Sequence, residues 1–106
     1  MMDIKELVTQ VKPFAQGVFS DALRDCFAEA ERMLAGKVTF QYFRDFIELF
    51  LPVQPNNQNE ILVLLTVRAV DCAWRMENGW YATAGAKARA RAIIRRAEME
   101  LLSCIR

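Results

Sequence analysis

The stretch Thr39–Leu51, TFQYFRDFIELFL, closed by Pro52, most constrains what this chain can fold into. Its polar side chains are confined to Gln41, Arg44, Asp45 and Glu48, which fall on one narrow stripe of a helix. A surface helix ordinarily shows an apolar arc of roughly 100°, and the arc here is far wider. Such a helix needs cover on nearly every side. Burying one large apolar side chain is worth about 1.5–3 kcal/mol, so most of Phe40, Tyr42, Phe43, Phe46 and Phe50 belong in a core. One neighbouring helix cannot cover the whole arc, however, and part of it is expected to meet a second copy or a partner. Phe43, Ile47 and Phe50 are the anchors expected there.

A chain of 106 residues, 54% of them apolar, makes one domain (1–106) with its own core. The net charge of +1 is unevenly placed: residues 1–82 carry 8 Lys/Arg against 11 Asp/Glu, and residues 83–106 carry 6 against 2. A basic tail on an acidic body binds polyanions or pairs with the body's own acids. Cys26, Cys72 and Cys104 are odd in number and form no C-x-x-C pair. Each falls where a helical pattern expects an apolar residue, so all three read as buried, reduced thiols of a cytoplasmic protein. The start MMDIKELV is charged and amphipathic, unlike a secretory leader. The apolar run Ile61–Leu65 is too short to span a bilayer.

The pattern predicts a compact all-α bundle of about five helices, the first starting at the D-x-x-E box of Asp3 and Glu6. Ile4, Leu7, Val8 and Val11 form one apolar face, and Pro13 is expected to interrupt or restart the helix. A second helix carries the stripe Phe19, Leu23, Cys26, Phe27, Ala30, Met33, Leu34 and stops at Gly36; Ser20 or Asp21 would cap a shorter version. Thr39 caps the aromatic helix. After the loop PVQPNNQN, Asn59 is expected to cap a fourth helix over Glu60–Glu77, stopped by Asn78-Gly79. ILVLLTV also reads as a strand, and only the continuing helical spacing of Arg68, Asp71 and Arg75 favours the helix. Thr83 caps a last helix over 84–104, with Ala86, Ala90, Ile93, Ile94, Ala97, Leu101 and Cys104 inward.

Catalytic patterns are missing. The chain has no histidine, Ser20 and Ser103 lack a nucleophile-elbow context, and no glycine-rich phosphate loop occurs. Asp21, Asp25 and Glu29 share a helix face that could hold a cation, but a solvated face explains them with fewer assumptions. No cofactor or metal is therefore expected. In KARARAIIRRAE, Lys87, Arg91 and Arg95 form one stripe, with Arg89 and Arg96 beside it. These cations could follow a phosphate backbone, yet Asn and Gln for reading base edges are absent from the segment. Pairing with Glu98, Glu100 and the acids of the second helix is the plainer expectation. Trp80 and Tyr81, with Trp74, make a second candidate anchor, because Trp, Tyr and Arg concentrate at binding hot spots; packing in the core or stapling the loop is an equal expectation for them.

Size, the His-free helical pattern, the TFQYFRDFIELFLP helix and the RARARAIIRRAEMELL tail together resemble small bacterial antiactivators of LuxR-type quorum-sensing regulators, the QslA-like proteins. The resemblance covers the general shape of the chain rather than a motif. It implies a homodimer that binds a larger transcription regulator and blocks its dimerisation or DNA binding. The contact surface would combine Phe40, Phe43, Phe46, Ile47, Phe50, Trp80 and Tyr81 with Arg91 and Arg95 as a charged rim. Small phage-encoded inhibitors of host complexes, such as anti-CRISPR proteins, look much the same at this level. A nucleic-acid-binding accessory protein using Lys87–Arg96 is the alternative from another class.

Overall fold

The computed structural model describes residues 2–105; Met1 and Arg106, the ends of the expected domain 1–106, lie outside the described residues. Among the described residues there are five helices and no strand: α1 (Ile4–Ala15), α2 (Asp21–Leu34), α3 (Phe40–Phe50), α4 (Gln58–Glu77) and α5 (Ala84–Cys104). Asp3, Ser20, Thr39, Asn57 and Thr83 cap them, each with extended backbone and a side-chain oxygen accepting a first-turn N–H. Gly36 and Gly79 follow α2 and α4 at φ 76° and 70°, the left-handed region that a glycine enters without strain.

Helix α4 is the hub. Leu62, Val63, Leu65, Val67, Ala69, Val70 and Cys72 are buried around much of its circumference, under α1, α2 and α5. Helix α5 runs along α4, while α3 packs mainly on α2. The apolar run that also read as a strand is therefore helix. Its β-branched residues lose little here, because tertiary packing outweighs intrinsic propensity.

Four local expectations need correction. Asn57, not Asn59, caps α4. Pro13 does not stop α1: it sits in the last turn, where the carbonyl it leaves unpaired belongs to exposed Thr9, and the helix continues to buried Ala15. Ser20 ends the non-helical approach to α2, so Phe19 falls outside the helical period; it is 82% exposed, and Val18 takes its place in the core. Cys104 is half-buried, whereas Cys26 and Cys72 are buried; all three thiols are free.

A carboxylate closes one end of the bundle. Glu60, in the first turn of α4, is only 1% exposed. One of its oxygens accepts from the N–H groups of Phe19 (3.1 Å) and Ser20 (3.2 Å), and the other from that of Asn56 (2.9 Å). The side chain thus ties the α1–α2 turn and the α3–α4 loop to the start of α4. The N–H of Asn56 is the strongest influence on this carboxyl; with those of Ser20 and Phe19 it outweighs burial and holds the pKa below the ordinary 4.5. The folded state therefore binds this proton less tightly than the unfolded chain does. The stability Glu60 contributes is complete above pH 4.5 and is lost as pH falls below it, through the folded value. Glu60→Gln should lower the melting temperature at neutral pH and flatten its acid-side fall. Parallel acid-side slopes for the two proteins would contradict the assignment.

Candidate functional site

Helix α3 divides the expected contact residues in two. Phe43 is 0% exposed, and Phe40 and Ile47 are buried too, so these three serve the chain's own core and present no contact surface. That corrects the placing of Phe43 and Ile47 as partner anchors. The other face is open. Exposed Tyr42 and Phe50 stand one turn to either side of Phe46, with ring centroids 6.2 and 4.7 Å from it; Phe46 is half-buried against the core, and Leu49 beside them is 75% exposed. The wide apolar arc is thus half core and half surface, because α2 covers only one side.

Trp80 and Tyr81 are engaged by the protein itself. Phe40 lies flat on Trp74, with centroids 3.8 Å apart and planes 2° from parallel, and Trp80 sets its edge against both rings at 5.5 and 5.7 Å. The guanidinium of Arg75 lies 4.7 Å from the centre of Trp80 and 5.3 Å from that of Phe40, and Arg44 lies 5.8 Å from Trp80. Arg75 is held by its Nε, which donates to both oxygens of Asp71 at 3.1 Å. The half-buried Tyr81 hydroxyl meets the Cys72 thiol, and burial together with that contact raises the tyrosine pKa to about 12. These residues staple the α4–α5 turn, although Trp80 stays partly exposed.

Helix α5 carries two apolar rows. Ala90, Ala97 and Leu101, with half-buried Ile94 and Cys104, face the bundle. A second row, Ala88, Ala92, Met99 and Leu102, points outward at alternating four- and three-residue spacing, interrupted by Arg95; Met99 is 63% exposed. Arg91, Arg95 and Arg96 line the same shallow depression as Ala88, Ala92 and Met99. Among the described residues no ion pair engages Lys87, Arg89, Arg91, Arg95 or Arg96. The pairing expected with Glu98, Glu100 and the second helix is therefore not made. Glu98 accepts from the N–H of Met2 instead, and three acids of α2 find other partners, Asp21 with Arg24, Glu29 with Arg32 and Glu31 with Lys12 of α1. Pattern reading found the basic stripe but missed the outward row, whose signal was the same spacing with small residues at two positions.

The structure does not assemble all the expected site residues on one surface. Arg91 and Arg95 stand on α5, which packs on α4 and touches α1, whereas the open aromatic strip stands on α3, which packs on α2. Nor does the chain offer activated chemistry in its thiols. Burial pushes Cys26 up to about 11, helped by Asp25 and Glu29, and also raises Cys72 and Cys104. Among the described residues no three His, Cys, Asp or Glu are grouped to hold a metal ion, and no helix is long and apolar enough to cross a membrane. Comparison with protein-family models, with curated proteins and with solved structures finds no match.

The two faces of α3 can be separated by truncation. Phe43→Ala should cost about 3–5 kcal/mol, the range for a fully buried phenylalanine. Phe50→Ala should cost about 1 kcal/mol or less, as at a surface position. Chemical denaturation of the two variants checks this, and similar losses would show that the outer strip is also structural.

Proposed function

We propose that this chain is a non-catalytic regulatory protein that acts by covering a surface of a larger protein, with the outward face of α5 as its contact. The observation that supports this reading is the second apolar row of α5, Ala88, Ala92, Met99 and Leu102, set among arginines that make no ion pair among the described residues. Small side chains at 88 and 92 let another backbone approach closely, and Met99 and Leu102 offer apolar volume beyond them. The arginines would fix register through carboxylates along the rim of the partner. The complementary surface is an acidic, amphipathic helix or groove.

The resemblance to antiactivators supplies the class of partner, a transcription regulator of the quorum-sensing type held from dimerising or from binding DNA. A phage-type inhibitor of a host complex would use the same surface, and the identity of the captured protein decides between them. A second copy of this chain is assigned to the open strip of α3 rather than to α5. Five basic residues against two acidic ones on α5 would repel their copies across a two-fold axis. Three free thiols fit a cytoplasmic setting.

One observation favours a second reading. Five cations on one helix that make no ion pair among the described residues are what a phosphate backbone needs, so the chain could serve as a nucleic-acid-binding accessory protein. The row ending in Met99 and Leu102 has no role in that reading. Capture from nuclease-treated bacterial lysate, washed at low and high salt, separates the two. A protein complex anchored by apolar contacts should persist at both salts, and Leu102→Asp should reduce recovery at least about tenfold by placing a charge in the buried row. Loss of all capture on nuclease treatment or at high salt would contradict the protein-binding proposal and favour the nucleic-acid reading.

A further inference from the structure

The outward faces of α3 and α5 fit each other better than either fits itself. The strip of α3 is bulky, with Tyr42, Leu49 and Phe50 exposed around half-buried Phe46. The row on α5 is narrow where that strip is wide, since Ala88 and Ala92 stand exposed along its first half. Bulky side chains seat among small ones, as knobs in holes, when two helices share a repeat. The repeat is shared here: Tyr42, Phe46 and Leu49 are spaced by four and then three residues, as are Ala88, Ala92 and Arg95.

Charge divides in the same way. Arg44 is the one cation of α3, and its side chain, 28% exposed, is drawn back to within 5.8 Å of the Trp80 ring centre. Asp45 and Glu48 pair with it only loosely, at 4.0 and 3.7 Å, and remain 59% and 66% exposed. With one arginine against two acids, α3 carries a net charge of −1, and the acids are its outermost charges. On α5, five basic residues stand against two acidic ones, and those cations make no ion pair among the described residues. A two-fold contact of either helix with its own copy would set like charges together. Contact of α3 with α5 joins opposite signs.

We infer that this chain associates with itself head to tail, the α3 strip of one copy seated on the α5 row of the next. Repulsion excludes the symmetric contact of α5 with α5, so the copy that covers the α3 strip does so with its own α5. A parallel register sets Tyr42 on Ala88 and Phe46 on Ala92, and it brings Asp45 beside Arg96. Within one chain the two faces belong to different sides of the bundle, because α3 packs on α2 and α5 on α4. A contact made through one face therefore leaves the other open, and the assembly grows by addition. Two single-helix strips make a contact at the small end of interface sizes. The association forms at high protein concentration and yields to a tighter partner. Its consequence is regulatory: copies in excess mask the α5 face, and dilution exposes it. The inference rests on the reading of α5 as a contact surface and adds what competes for it.

Sedimentation equilibrium of the purified full-length chain tests this with no partner present. The average mass should rise with concentration past that of two chains. Leu49→Arg, at an exposed position, sets a cation against Arg95 and should hold the chain as a monomer. Ala92→Glu fills the narrow row and brings an acid to face the acids of α3, and it should do the same. Each variant keeps the face that the other has lost, so an equimolar mixture should form a 1:1 pair and go no further. A wild-type chain that stays monomeric throughout, an Ala92→Glu variant that associates as the wild type does, or a mixture that forms no pair would overturn the inference. Capture from lysate keeps this result apart from the partner reading. Leu49→Arg leaves α5 whole and should capture a partner as well as the wild type does. Loss of capture by Leu49→Arg would move the partner to α3 and sink that reading, while the mass measurements decide self-association on their own.

Discussion

Helix α4 is apolar around most of its circumference, and the need to cover it governs the rest of the architecture. It takes α1, α2 and α5 to do so, and little of its surface meets solvent outside Gln58, Arg68 and its C-terminal turns. On one side of its first turn, at Glu60, the helix is buried against neighbouring loops, whose N–H groups would be stranded without an acceptor. Glu60 answers that problem by supplying two carboxylate oxygens to three backbone donors from two other segments. The charge is tolerated because each oxygen is hydrogen-bonded, the condition under which buried carboxylates persist.

Helix α3, with the densest aromatic content, is peripheral. It buries one face against α2 and leaves the other open, so a wide apolar arc did not translate into central position. The same holds for α5, which buries one apolar row and presents another. Leaving Tyr42, Leu49, Phe50, Met99 and Leu102 in solvent forgoes stabilisation that burial would give. Exposed apolar rows of this kind, rimmed by charge, mark interaction surfaces on proteins.

Helix existence and most boundaries were legible because each end carries its own local chemistry. Asp3, Thr39 and Thr83 could be read as caps and Gly36 and Gly79 as stops, since hydrogen-bonding geometry and positive φ depend on neighbouring residues alone. Asn57 was not legible as a cap, because Asn56, Asn57 and Asn59 have the same chemistry and only the path of the loop selects one. The spacing of Asn57 to Glu60 was the available signal. Phe19 was misassigned because the helical period was carried one turn back from Leu23, past Ser20, where the cap breaks it. Which face of α3 lies inward, and which arginines find acids, were not legible in principle. Both follow from where helices distant in sequence come to rest.

The central claim is that the outward face of α5 is the surface that works on a partner, and radical footprinting of the captured complex tests it most directly. Met99 is a readily oxidised side chain toward the C-terminal end of that face, and Tyr42 and Phe50 report on the competing strip of α3. The account predicts that Met99 becomes protected when the partner binds and is oxidised freely in the isolated protein. Oxidation of Met99 at the same rate in both states, with protection appearing at Tyr42 and Phe50 instead, would move the contact to α3 and contradict it.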